Sequence, residues 1–494
     1  MVWGKFSSSS SASSAASSDA STIHNGSSGK ISFAKFQMEI QLKNHFRSKV
    51  YNTGAPIEGD VVISTHRDVR FDSLQIILLG MARTRVEGMG APHATTHTLL
   101  KLAMPVPQSA YPVPRVLEAG RTYRVPFNFV VPPHLTMGAC AHAVDADHVR
   151  DCHLALPPTV GFWERDDLSP ETARVEYCVK ARVLRSPAAD EAAAAHGVKL
   201  MEAAEQVTIL PTFGERPPVS VGKADRLYRM AKSKTLRKNL LSSRVGRVTA
   251  SATQPSAVFL RADGLAASET AARVRLEFEP ATPDAAPPRV TAVSAKLAAY
   301  TFYSSTAMTS LPDLVSPSPR SSAVLDRRAS YATTVPLFSA HVDGFRWEQR
   351  PRHQARRDSG YSSAADLDGA RKSSASPVLH TCDIEVPVRL PCGGGAKGGR
   401  GKTFIPSFSS CIVSRVYVLQ LSVALAGSGS ATLSLRLPIQ VAAEAAAGLG
   451  MAEEELPDFE TALEEAEADR HLRPRVLSVP DHRFVETSEL PGYD

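Results

Sequence analysis

The sequence predicts an all-β chain built from two immunoglobulin-like antiparallel β-sandwiches, with disordered termini and a long loop in the second sandwich. Three observations lead there. Apolar and polar residues alternate with a period of two along many short segments, as in a strand with one face on a core. Turn-forming residues separate those segments, in a chain holding 35 prolines and 30 glycines. The helical period of 3.6 is scarce, which favours packed antiparallel sheets over a βαβ arrangement.

In chain order, residues 1–33 form a Ser-rich leader. Residues 7–29 are mostly Ser, Ala, Gly and Asn, with neither the apolar core of a secretory signal nor the repeated Arg of a transit peptide. A first domain is expected over 34–215. Its strands lie at 36–42, 60–63, 74–79, 123–131, 173–183 and 206–210, with turns at Asn52-Thr53-Gly54 and Glu118-Ala119-Gly120. Arg216-Pro217-Pro218 stops that block, and 216–250 reads as a basic linker. The second domain spans 251–443, with strands at 273–278, 290–297, 382–390, 413–425 and 431–441. Its polar, Ser-rich stretch at 350–376 reads as a disordered loop. Residues 444–494 form an acidic, flexible tail with a helix expected near 451–468.

Composition narrows the function. A chain of 494 residues with 43% hydrophobic content allows two to four domains with real cores. The six cysteines are scattered and form no disulfide framework, which points to a reducing compartment. No stretch reaches the roughly 18 to 20 apolar residues that span a bilayer. The expectation is a soluble, cytoplasmic protein that meets membranes only peripherally. The formal net charge of +6 is modest, but its distribution is not: residues 223–247 are dense in Lys and Arg, and residues 453–469 in Glu and Asp.

Asn52-Thr53-Gly54-Ala55-Pro56-Ile57-Glu58-Gly59-Asp60-Val61-Val62-Ile63, then Leu74-Gln75-Ile76-Ile77-Leu78-Leu79-Gly80 as a strand ending in glycine, follow one another in order. Leu117 to Phe129, Leu156-Pro157-Pro158-Thr159-Val160-Gly161 and Val175 to Ala181 come next. Together they resemble the N-domain of arrestins. Thr403-Phe404-Ile405-Pro406-Ser407-Phe408 and Val413 to Leu419 are similar to late strands of the arrestin C-domain. The resemblance is to the fungal α-arrestin branch. No matching polar-core aspartates or clathrin-binding box are found, so phosphate sensing of the visual type is not implied. The resemblance implies an arrestin-related trafficking adaptor. It would link plasma-membrane transporters or receptors to a WW-containing HECT-type ubiquitin ligase, at the plasma membrane and endosomes. The alternative is an endosomal sorting scaffold of the same fold that works without a ligase.

The tail carries the motif that separates those two readings. Leu490, Pro491 and Tyr493 make a Leu-Pro-x-Tyr variant of the WW-domain ligand Pro-Pro-x-Tyr. Pro491 favours an extended backbone, Leu490 fills the slot of the first proline, and Tyr493 supplies a flat ring with a hydroxyl. Leu456, Pro457 and Phe459 form a degraded second copy that adds avidity if used. Arg226, Arg229, Lys232, Lys234, Arg237 and Lys238 are candidate contacts for an anionic lipid surface or acidic cargo, and a third reading lets the acidic tail mask them. No groove-reading motif accompanies this charge, so nucleic acid is not expected. Ser330 and Ser359 each follow an arginine pair, the pattern read by basophilic kinases, and both are placed in or near polar loops.

Two constellations are set aside. Residues 396–403 mimic a phosphate-binding loop, but Phe404-Ile405-Pro406 follows where a helix is needed. Cys140, His142, His148, Cys152 and His153 match no standard zinc spacing, and 138–153 reads as an exposed connection. His93 and His97 are placed in another polar loop. No catalytic motif is found. The expectation is a non-enzyme without metal or cofactor.

Overall fold

The computed structural model describes residues 36–445, apart from 88–90, 187–197, 238–242, 315–327, 343, 352–377, 393–400 and 428–430. The first half of the chain contributes ten strands: β1 (Phe36–Leu42), β2 (Val50–Tyr51), β3 (Pro56–Thr65), β4 (Val69–Arg70), β5 (Ser73–Val86), β6 (His93–Met104), β7 (Val116–Leu117), β8 (Thr122–Val130), β9 (Ala173–Arg185) and β10 (Val198–Ile209). A helix, α1 (Asp147–Leu154), lies between β8 and β9. The second half contributes β11 (Ala231–Arg237), β12 (Arg244–Ala252), β13 (Val258–Leu260), β14 (Thr270–Pro280), β15 (Arg289–Ser304), β16 (Arg328–His341), β17 (Glu348–Pro351), β18 (Val378–Val388), β19 (Phe408–Ser409), β20 (Val413–Ala426), β21 (Ala431–Ile439) and β22 (Val441–Ala443). The fold is all-β, as the periodicity predicts. No described helix is long and apolar enough to cross a membrane.

Each half is a sandwich. In the first lobe a three-stranded sheet, β1-β3-β8, faces a five-stranded sheet, β2-β10-β9-β5-β6. Their inner faces meet in one core: Ile57, Val61, Val125 and Phe127 from the first sheet pack with Ile76, Leu78, Val175 and Tyr177 from the second. The alternation in β9 is complete, with every second side chain from Ala173 to Val183 buried. This is how the period of two selects one face for the core. In the second lobe β11-β12-β14-β18-β17 faces β16-β15-β20-β19, with β21 also paired to β20. Leu276 and Phe278 of β14 meet Leu297 of β15 and Leu419 of β20 in that core.

Several expectations are corrected. The basic segment is not a linker, because β11 and β12 pair antiparallel from Ala231 to Arg237 and belong to the second lobe's sheet. Lys232, Lys234 and Arg237 stand on the edge strand β11 and Arg244 and Arg247 on β12, while Lys223, Arg226 and Arg229 lie in the connection that precedes them. The strand containing Leu74 to Gly80 does not end at the glycine: β5 runs on to Val86, and its register against β6 shifts between Gly80 and Met81. His93 and His97 stand on β6 rather than in a loop. Residues 138–153 are not simply an exposed connection, since α1 buries Val149 and His153 four positions apart, on one helical face. The loop expected at 350–376 begins inside a strand, since Arg350 and Pro351 belong to β17; its remainder, the expected leader and the expected tail beyond 445 lie outside the described residues.

Candidate functional site

Of the residues singled out in the sequence, Leu456, Pro457, Phe459, Leu490, Pro491, Tyr493, Ser359 and Lys238 lie outside the described residues. Ser330 is not in a loop: it is an exposed residue of β16, paired with Phe302, on the edge of its sheet. Arg226, Arg229, Lys232, Lys234 and Arg237 are exposed, but they do not share one face. Lys232 and Lys234 stand opposite buried Ala250 and Val248, so they point to the core side of β11, while Arg237 alternates to the other side. Inward-pointing lysines on an edge strand discourage pairing with another chain.

The most built-up polar structure lies between the lobes. Arg415, on β20, is fully buried. Its Nε donates to Thr301 Oγ1 at 3.1 Å, Nη1 to the carbonyl of Asp167 at 3.0 Å, and Nη2 to Ser169 Oγ at 2.6 Å. Asp167 is itself buried and holds its own loop, accepting from the backbone N–H of Gly161 at 2.7 Å and of Ser169 at 3.2 Å. Beside it, Lys402 Nζ meets Asp166 Oδ2 at 2.8 Å, and the Thr403 N–H donates to the Asp166 carbonyl. Burial alone would raise the Asp166 carboxyl, but Lys402, the Leu168 amide and Arg415 together hold it below its ordinary value. Further ties are Thr84 Oγ1 to the Ser304 carbonyl at 2.7 Å and the paired amides and carbonyls of Phe213 and Ala443. In the sequence Arg415 is one polar residue in a strand pattern, and nothing local marks it as buried.

A cleft of about 820 Å³ opens along this junction, lined by α1, by residues around Arg216 and Tyr228 and by β20. Two pairs of its polar groups engage each other. Tyr228 Oη lies 2.7 Å from Asp313 Oδ2, and Arg216 Nη1 lies 3.0 Å from Cys152 Sγ. Burial, with Asp313 alongside, pushes the Tyr228 phenol well above its ordinary value, and burial raises the Asp313 carboxyl and the Cys152 thiol. A phenol held protonated against a carboxylate is a structural pair rather than a general base.

Behind the cleft wall four sulfur and nitrogen ligands converge. Single ligand atoms of Cys140, His142, His153 and Cys411 all lie within 4.8 Å of one another. Cys140 and His142 follow β8, His153 is in the last turn of α1, and Cys411 comes from the bend between β19 and β20, strands of the second lobe's sheet, and packs in the first lobe's core. His153 is fully buried, and neither ring nitrogen has a hydrogen-bond partner. A bare buried polar group of this kind costs about 1–3 kcal/mol. Burial, then the nearby His142, Arg150 and His97, push its imidazole down to about 4. Burial and the adjacent Cys140 push the Cys411 thiol up to about 12. Of the five residues grouped by sequence, His148 and Cys152 line the cleft instead. The fourth member, Cys411, is far away in sequence and has no local signal. Compared with known proteins, the chain matches no family model and no curated protein.

Proposed function

We propose that this chain is a non-catalytic trafficking adaptor of the arrestin type. Its two sandwiches would engage cytoplasmic segments of a plasma-membrane transporter or receptor, and Leu490, Pro491 and Tyr493 would recruit a WW-containing HECT-type ligase. The observation that carries the reading is the junction: two β-sandwiches pinned together by a buried Arg415 that makes three hydrogen bonds, two of them to the first lobe. Such a joint fixes two recognition faces relative to each other, which an adaptor needs and a flexible tether does not provide. Most of the first-half residues that carry the resemblance to arrestins fall on strands of the first lobe, β3, β5, β7 with β8, and β9.

The mechanism is proximity. Holding a ligase beside a bound cargo raises the effective concentration of the ligase at the cargo's lysines, without new contacts between the two. The test compares the full chain with Tyr493→Ala in pull-downs with isolated WW domains and in cells scored for cargo ubiquitination. Loss of both is expected. Retained WW binding moves the ligase contact elsewhere, and intact cargo sorting without any WW binding favours the ligase-free scaffold.

A further inference from the structure

We propose that Cys140, His142, His153 and Cys411 form a structural zinc site that pins the Cys411 bend, contributed by the second half of the chain, into the first lobe. The inference does not depend on the ligase reading. Two thiols and two imidazoles are a complete closed set for tetrahedral zinc, and this mixture of soft sulfur and nitrogen donors selects zinc over hard cations. The spacing fits. With zinc–sulfur and zinc–nitrogen bonds of about 2.3 and 2.0 Å, the edges of the tetrahedron measure roughly 3.3–3.8 Å. Cys140 Sγ and His142 Nε2 already lie 3.5 Å apart, and no pair in the quartet exceeds 4.8 Å. Closure needs a contraction of about 1 Å at the widest edge.

The surroundings are those of a metal site. His142 Nδ1 lies 2.9 Å from the Ala143 carbonyl, so its N–H is committed there and the lone pair of Nε2 faces Cys140. Arg150 Nη1 donates to the Cys140 carbonyl at 2.9 Å and to its sulfur at 3.3 Å, a donor suited to a thiolate. His97 Nε2 lies 2.6 Å from the Ala139 carbonyl and ties the ligand loop to β6. The independent sign is His153, wholly enclosed with two unpartnered ring nitrogens. A histidine kept only for packing would be expected to bond at least one of them.

Placement gives the site its role. The first three ligands ride on the excursion between β8 and β9, and the Asp145 amide of that excursion already bonds the Thr309 carbonyl of the second lobe. Cys411 is held by its carbonyl, which accepts from Met308. A bound ion would therefore tie the Cys411 bend, which the second half of the chain contributes to the first lobe's core, to the excursion between β8 and β9 through coordinate bonds.

The test uses full-length chain purified with reductant and without chelator. Mass-spectrometric metal analysis should give about one zinc per chain. Cobalt exchanged into the site should show the visible bands of a tetrahedral centre and thiolate charge transfer in the near ultraviolet. Cys411→Ser and His153→Ala should each lower retained zinc by about tenfold or more, while Cys152→Ser, outside the quartet, should keep it. If the ligand variants do not fold, cobalt titration of the unmodified chain against a competing chelator decides the matter alone. A reduced chain that holds no zinc and develops no cobalt–thiolate band overturns the proposal. So does a Cys140–Cys411 disulfide found in a non-reducing digest of protein kept reduced throughout.

Discussion

Arg415 sets the terms at the scale of single residues. Its charge is buried, with one bond to Thr301 on the neighbouring strand of its own sheet and two that cross the lobe boundary to the loop that follows Gly161. Arg415→Met fills much of the volume but leaves the Asp167 carbonyl and Thr301 hydroxyl dry and under-bonded. The expected loss is about 2 kcal/mol in urea unfolding. Arg415→Lys should recover little, because an ammonium cannot reproduce the planar fork. A variant as stable as the parent would show that the arginine is incidental. The neighbouring Asp166–Lys402 pair is more exposed, so its contribution is smaller, about 0.5 kcal/mol. Because the Asp166 carboxyl is held below its ordinary value, its stabilisation is present above about pH 4 and is lost as pH falls through the lower folded value. Asp166→Asn keeps the acceptor for the Leu168 amide and removes the charge. The parent should therefore be the more stable protein at about pH 7, and the two should converge near about pH 2. An equal deficit at both would assign the effect to packing rather than to charge.

The individual strands show what a sequence can and cannot display. The sequence places strands correctly inside β3, β8, β9, β14 and β18, where one face lies on a core and burial alternates with a period of two, and inside β5, β15 and β20, where apolar runs and stretches of consecutive buried residues mark them instead. Where neither mark is present, the signal fails. β11 carries Lys232, Lys234 and Arg237 and buries only Leu236, so as a sequence it looks like a solvated basic linker. β6 begins with exposed His93 and polar neighbours and turns apolar only at Leu99 and Leu100. α1 is too short and too polar to display a stripe beyond Val149 and His153. Cysteine and histidine spacing failed at the quartet for another reason: three ligands are local and the fourth arrives through tertiary packing. Gly80 gives a test at this scale. A Cβ built there would lie 2.5 Å from the ring of Tyr177, which is itself pinned by its hydroxyl to the Pro157 carbonyl at 2.6 Å. Gly80→Ala should cost roughly 1–3 kcal/mol. In a double-mutant cycle with Tyr177→Leu most of that cost should disappear, since the ring is the obstacle. Additive losses would place the strain in the β5–β6 irregularity instead.

At the scale of the whole molecule, the two cores are not assembled from separate halves of the sequence. Ile405, Phe408, Ile412 and Val413 come from the second half of the chain, yet they belong to the first lobe's core beside Val131, Leu156 and Val160. In return, Leu168 and Leu210 from the first half lie in the second lobe's core, and Asn52 donates to the carbonyls of Leu210 and Ala262. Boundaries drawn where the sequence changes character therefore cut through shared packing. Each large apolar side chain in such a core is worth on the order of 1.5–3 kcal/mol, so losing the 405–413 segment removes an amount comparable to a domain's whole stability. Residues 34–215 expressed alone should bind a hydrophobic dye, exchange their amides rapidly and unfold without a sharp transition. The intact chain should melt both lobes together. The same fragment supplied with a synthetic peptide covering 403–414 should regain protection in β5 and β9, the strands that line the shared core. An isolated first lobe with the parent's melting temperature and a dispersed amide spectrum would mean that the crossing segment decorates the lobe rather than completes it. The Arg415 junction would then be a contact between two independent domains.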